Sequence, residues 1–331
     1  MSAHAVVGGR LATGLADVTD DPSCLDSSGF WAVVTTFEGG RTFARFTDVR
    51  PFPGWESTPW NGIGRDSWQS SLDRDEYVAA VAQVRERIAE GELYQANICR
   101  VLSAPLAAST LVGLAARLSA ANPAPYSSLI ELPDHGVQVA CASPELFLRR
   151  RGRQVESRPI KGTARTAEGL TAKDRAENVM IVDLVRNDLS RVASSGSVKV
   201  PALCAVEQHP GLVHLVSTVS AELEEGRGWA DLLDATSPAG SVSGAPKSSA
   251  LRVIGELERG PRGAYCGAIG WVDADAAEGV LAVGIRTFWA DGGELRFGTG
   301  AGITWGSDPQ AEWAETELKA AHLLAVAAGQ L

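Results

Sequence analysis

The sequence predicts an α+β protein with largely antiparallel strands, arranged as sheets packed on each other with helices outside. Three observations carry this expectation. Helical and strand-like segments are interspersed without a strict strand–helix–strand rhythm, strand-like neighbours are joined by short turn signals, and a long amphipathic segment at 174–192 lies between strand-like ones. The first 70 or so residues are rich in Gly, Thr, Ser and Pro, with strand-like stretches at 30–36 and 42–46 and a Pro- and Trp-rich loop at 51–60. From Asp73 onward Tyr77, Val78, Val81, Val84 and Ile88 recur at helical spacing, and Gly91 stands where that helix stops. A strand over 93–102 and a helix over 110–120 follow, then a hairpin of 126–132 with 136–148 turning at Pro133 and Asp134. The stretch 212–223 is strand-like, 248–259 helical, and 267–289 reads as two strands around 273–278. A last helix begins at Pro309 with Asp308 as its cap. The change of pattern near Asp73 divides the chain into an N-terminal segment, 1–72, and a larger unit, 73–331, sharing one sheet system.

Composition narrows the function classes. The 331 residues, 45% hydrophobic and 21% charged, suffice to bury one large core or two smaller ones. The five cysteines are odd in number, scattered and free of C-x-x-C spacing, so neither a disulfide framework nor a zinc site is expected, and a reducing, cytoplasmic setting fits. No apolar stretch approaches the roughly 18 residues of a membrane helix, and residues 1–10 lack a signal-peptide pattern, so neither membrane anchoring nor export is expected. A net charge of -10 offers no footprint for nucleic acid, and the basic run at 149–153 reads as a solvated strand end.

Several constellations could carry chemistry. Asp174 with Glu177, and Glu312 with Glu315, place two carboxylates on one face of each of two helices. Both helices also carry basic residues at ion-pair spacing, so a solvated face and an oxygen-rich Mg²⁺ site are both open readings. Lys161 is held between Pro159-Ile160 and Gly162-Thr163; it is either an ordinary loop lysine or a desolvated amine fit to act as nucleophile or base. Glu145, in Ser143-Pro144-Glu145, is a turn acid or, if buried, a general acid. The small-residue loop Ser241 to Lys247 runs into a helix and offers backbone N–H groups to an anion. Gly298 to Gly302 reads as a flexible turn able to approach a ligand, and His214 by itself reads as a packed strand histidine.

In order and spacing these motifs resemble the chorismate-utilising family, which includes the component I chains of anthranilate and aminodeoxychorismate synthases and the isochorismate and salicylate synthases. The match runs from about 73 to 330 through Ser143-Pro144-Glu145, Pro159 to Thr163, Ala176-Glu177-Asn178, Arg186 to Leu189, Ser243 to Lys247, and Ser307-Asp308-Pro309 with Glu312, Glu315 and Lys319. The resemblance implies two packed antiparallel sheets flanked by helices, with a central active-site cleft. It also implies Mg²⁺ held by Glu177 and Glu315 with Asp174 and Glu312 in support, orienting the ring carboxylate of chorismate. Tyr265, Arg286, Lys319 and the Gly300, Ala301 and Gly302 backbone would hold the enolpyruvyl carboxylate. Ser241 and His214 would line the ring, with His214 grouped among the catalytic residues.

Two positions point within the family. Lys161 stands where aminodeoxychorismate synthases carry lysine and anthranilate synthases carry alanine, and Gln95 replaces the lysine base of the water-using members. The implied reaction joins chorismate and ammonia to give 4-amino-4-deoxychorismate, a precursor of 4-aminobenzoate, through a covalent Lys161 intermediate with Glu145 as acid. Ammonia would come from a separate glutamine amidotransferase subunit or from solution. Anthranilate synthesis is the runner-up, and a chorismate-binding protein without turnover is the rival of another class. The longer N-terminal half of family members, with its Gly-rich segment near a regulatory tryptophan pocket, is not found, so neither tryptophan regulation nor the full partner-docking surface is expected.

Overall fold

A computed structural model describes residues 2–55, 58–209 and 212–330, without the side chains of Thr163, His209 and Leu212. Residues 56 and 57 of the expected Pro/Trp loop, and the end residues 1 and 331 of the expected chain divisions, lie outside the described residues. The architecture is α+β. Six helices are present among the described residues: α1 Arg74–Ala89, α2 Val112–Ala121, α3 Ala172–Ser190, α4 Trp229–Thr236, α5 Lys247–Leu257 and α6 Pro309–Ala327. Local chemistry sets their ends. Asp73 and Glu76 form a capping box at α1, Thr171 and Asp174 another at α3, and the Asp308 carboxylate accepts the Ala311 N–H ahead of Pro309 at α6.

Every strand pairing among the described residues is antiparallel, and hydrogen bonds join eighteen strands into one ladder. From Lys199–His209 it runs through Leu212–Glu222, Gln154–Arg158, Leu146–Arg151, Glu278–Val283, Ala268–Asp273 and Phe30–Thr35 to Arg41–Pro51. It continues through Arg10–Thr19, His4–Val7, Tyr126–Leu132, Val137–Ser143, Thr287–Asp291 and Glu294–Ile303 to Gln95–Pro105. Val33, Leu148 and Leu281 from the first half share one buried apolar cluster with Ile130, Val139 and Cys99 from the second. Burial of such side chains contributes roughly 1.5–3 kcal/mol each. Residues before Asp73 supply strands to both halves.

Three segments differ from expectation, and the first two differences place the site. The predicted strand 136–148 breaks after Ser143; Val137–Ser143 belongs to one half of the ladder and Leu146–Arg151 to the other. Likewise the stretch 267–289 holds three strands, and the chain crosses back between Val283 and Thr287. The two crossings are bonded together: Val283 N–H donates to Glu145 O, and Ala142 N–H donates to Arg286 O. Thirdly, Gly298 to Gly302 is not a flexible turn. These residues lie inside Glu294–Ile303, paired with Gln95–Pro105, and their missing side chains admit neighbours. A Cβ on Gly298 would stand 2.1 Å from the Tyr265 ring, and one on Gly300 2.5 Å from Cys99 Sγ. The basic run at 149–153 is a strand end, as expected, with Arg149, Arg150, Arg151 and Arg153 ion-paired to Glu156, Asp26, Glu278 and Glu222.

Candidate active site

The strand Ile160–Ala164 delivers Lys161, and Gly162 explains how it comes so near α3. Gly162 has φ +82°, and a Cβ there would lie 2.8 Å from Asp174 Cβ, so glycine serves both the backbone conformation and the contact. Lys161 is half-buried and its ammonium donates to Ser241 O at 2.9 Å. Desolvation holds this amine below the usual lysine range, against the pull of Glu177 and Glu145. Glu145 occupies the first crossing, 4% exposed, with its N–H on Ser143 Oγ. Burial pushes its carboxyl up to about 7, opposed by the Ser241 hydroxyl and by Lys161. A carboxyl raised by burial thus stands near a weakened ammonium, a pairing suited to acid and nucleophile roles.

Arg286 occupies the second crossing at φ +52°, and burial lowers its pKa. Among the described residues no carboxylate lies within ion-pair distance of it, so its guanidinium is suited to an incoming anion. Gln95 is 1% exposed, and its Oε1 is buried without a hydrogen-bond partner among the described residues. Its Nε2 lies where a Gly302 Cβ would be only 2.4 Å away, so the glutamine side chain lies over the Gly302 backbone. Lys319 donates to Gly300 O at 3.0 Å and pairs with Glu315 at 2.7 Å. Tyr265 packs over Gly298 and is 5% exposed. His214 is 2% exposed, in register with Thr163 on the neighbouring strand.

The carboxylates of α3 and α6 face each other across a lysine. Lys173 Nζ lies 3.7 Å from Glu177 and 3.3 Å from Glu312. Asp174 is engaged differently, accepting Thr171 N–H and Oγ1 as part of the α3 cap. Burial raises the Glu177 carboxyl, and Asp174 and Glu312 add to that through like charge. Among the described residues no three carboxylate, imidazole or thiolate groups enclose an ion as they stand. The donor set nevertheless suits a hard dication: its atoms are carboxylate oxygens on two helices, already bridged by an ammonium.

Glu145, Lys161, Ser241, Glu177, Glu315 and Lys319 therefore form one electrostatic group, since Glu177, Glu145, Lys319 and Glu315 all act on the Lys161 amine. In the Ser241 loop the Val242 and Ser243 N–H groups are taken, closing on Ala239 O and Gly240 O in a 3-10 turn, while no side chain caps the start of α5. The loop instead pairs as a strand, Gly244 opposite Ala96 and Ala245 opposite Gln95, and Lys247 binds Asp188 at 2.6 Å and Thr236 O. Sequence reasoning missed Arg262, 1% exposed, which donates to Asn97 O, Val242 O and Glu258 and so ties the Gln95 strand to the Ser241 loop. A lone arginine in a Gly/Pro-rich turn gave no periodic signal. Two surface depressions of about 740 and 750 Å³ hold none of the candidate residues, whereas Glu145 and Ser241 line a small cavity of about 20 Å³.

Residues 56–325 match the family model for chorismate binding enzymes. The chain is 41% identical over 273 residues to anthranilate synthase component 1 of Streptomyces coelicolor, covering 79% of this chain and 53% of that protein. It is 39% identical over 269 residues to aminodeoxychorismate synthase component 1 of Escherichia coli, covering 78% and 58%. It thus spans little more than half the length of these relatives. Among solved structures, anthranilate synthase component I from Streptococcus pneumoniae superposes with TM-score 0.74 at 26% identity, covering 96% of this chain and 80% of that one. The chorismate-family fold is shared as well with the menaquinone-specific isochorismate synthase of Escherichia coli, at TM-score 0.76 and 20% identity over 98% and 88% of the two chains. Together with the matched residues, these similarities establish that the chain belongs to the chorismate-binding enzyme family.

Proposed function

We propose that the chain aminates chorismate to 4-amino-4-deoxychorismate, acting as the component I part of an aminodeoxychorismate synthase. The observation that carries this reading is half-buried Lys161, its amine weakened by desolvation, near Glu145 at the first crossing, its carboxyl pushed up to about 7. Lys161 in its neutral form adds to C2 of chorismate while both ring double bonds shift, to C1–C6 and C4–C5, and the C4 hydroxyl leaves as water, protonated by Glu145. Ammonia then attacks C4, both double bonds return, and the C2–N bond breaks to release Lys161. The enolpyruvyl group stays attached throughout, and the net change is chorismate plus ammonia to product plus water. Gln95, with a glutamine amide in place of a basic amine, supports ammonia over water as nucleophile. Ser241 O fixes the Lys161 amine at 2.9 Å, and Arg286 with Lys319 supplies positive charge for the enolpyruvyl carboxylate. His214 would line the ring from the strand beside Lys161.

Glu177 and Glu315, with Glu312 and, once released from its cap, Asp174, would hold Mg²⁺. That ion, when bound, neutralises and orients the ring carboxylate and performs no redox chemistry. Ammonia would be delivered by a separate glutamine amidotransferase subunit or taken from solution. The five cysteines are all free, and no described helix is long and apolar enough to cross a membrane; a cytoplasmic setting is part of the same proposal. The test is product identity with chorismate, Mg²⁺ and ammonium. A product that retains the enolpyruvyl group and yields 4-aminobenzoate only after an added aminodeoxychorismate lyase supports the reading. Anthranilate with released pyruvate would move the chain to the reaction named for its Streptomyces relative.

A further inference from the structure

Glu177 on α3 and Glu312 on α6 are joined by a lysine from their own chain. Glu312 is 4% exposed, and among the described residues Lys173 is the one cation within ion-pair distance of its carboxylate. The same ammonium reaches Glu177 one helical turn along α3, so a single side chain spans α3 and α6. Lys173 is itself 48% exposed at its side chain, at the second position of α3, where nothing prevents a flexible four-carbon stem from turning to solvent. An ammonium 3.3 Å from a Glu312 oxygen and a dication bonded at about 2.0–2.1 Å to the same carboxylates compete for the same negative charge and repel each other.

We propose that Lys173 is a built-in counter-ion for the metal-binding carboxylates. It keeps Glu177 and Glu312 paired across the helices in the metal-free protein and leaves when the dication enters, so that it sets metal affinity by competition. The inference rests on the Mg²⁺ reading above. Removing the ammonium then has two opposite effects: the metal-free protein loses its bridge between α3 and α6, and the dication no longer displaces a bound charge.

The experiment titrates the full chain with Mg²⁺ by calorimetry, and with Mn²⁺ by paramagnetic resonance, with and without saturating chorismate. Wild type is compared with Lys173→Met, Lys173→Arg, Glu177→Gln and Lys199→Met, the last an exposed lysine that controls for net charge. Lys173→Met is expected to bind the dication roughly fivefold more tightly, the equilibrium equivalent of a partly exposed ion pair. It should also melt at a lower temperature without metal and regain wild-type melting with it, while Lys173→Arg and Lys199→Met stay near wild type. Equal affinities in wild type and Lys173→Met, both weakened by Glu177→Gln, overturn the role of Lys173 and leave the metal site standing. No dication binding in any variant, with or without chorismate, overturns the metal reading and this inference with it.

Discussion

The site has two walls built on different principles. One wall is made where the chain crosses between the two halves of the ladder, and it carries Glu145 and Arg286 on breaks in strands, with Lys161 on the short strand nearby. The other wall is made of helix faces, α3 and α6, and carries Glu177 on the first and Glu312 and Glu315, three apart, on the second. On the crossing wall Glu145, Lys161 and Arg286 depart from their ordinary acidities mainly through desolvation. The helix wall is charged and compensated, with Lys173 and Lys319 beside its carboxylates. Burial tunes reactivity on one side, and opposite charge on the other is suited to hold a cation and an anionic substrate.

Variants on the crossing wall should therefore change turnover, and variants on the helix wall should change metal dependence. The largest effect is expected for Lys161→Ala, with turnover falling by at least about 10³-fold while chorismate binding measured by calorimetry persists. Next is Glu145→Gln, which should lower kcat by about 10²-fold. In the wild type the Glu145 proton is present below about 7 and lost above it, so kcat should fall as pH rises through that value, and the variant's profile should lack that limb. Glu177→Gln should raise the Mg²⁺ concentration for half-maximal activity by about tenfold, with much of kcat recovered at saturating metal. Gly162→Ala is the smallest by design and joins the two walls. A left-handed φ and a 2.8 Å approach to Asp174 predict a loss of about 1–3 kcal/mol by denaturant unfolding. A kcat effect from Glu177→Gln that no metal concentration restores would erase the distinction between the walls.

What could be read in the sequence divides along the same line. Helix α1 was legible because its apolar residues repeat at helical spacing and Gly91 ends it with φ +80°. Helix α6 was legible from Asp308-Pro309. The acidic pairs could be placed on common faces for the same reason, since periodicity is a local property. The crossings could not. The chain from 136 to 148 reads as one apolar run, and only pairing with strands distant in sequence shows that it serves two halves of the ladder. Lys199–His209 escaped notice because Pro201 and two register shifts destroy its alternation. Helix α4, with eight residues, is too short for a periodic signal. Gly298 to Gly302 was misread because glycines chosen for close packing look, in sequence, like glycines chosen for turning. The role proposed for Lys161 rests on family resemblance; its bond to Ser241 O depends on a residue eighty positions away.

The most direct test of the account is to mix the protein with chorismate and Mg²⁺ while withholding ammonia, quench rapidly, and map the peptides by mass. The account predicts that the peptide containing Lys161 gains the mass of chorismate less one water, that added ammonia discharges it to 4-amino-4-deoxychorismate, and that Lys161→Ala carries no such mass. Wild-type turnover with ammonia at an unchanged rate in Lys161→Ala, or an adduct on another residue that turns over, would contradict it.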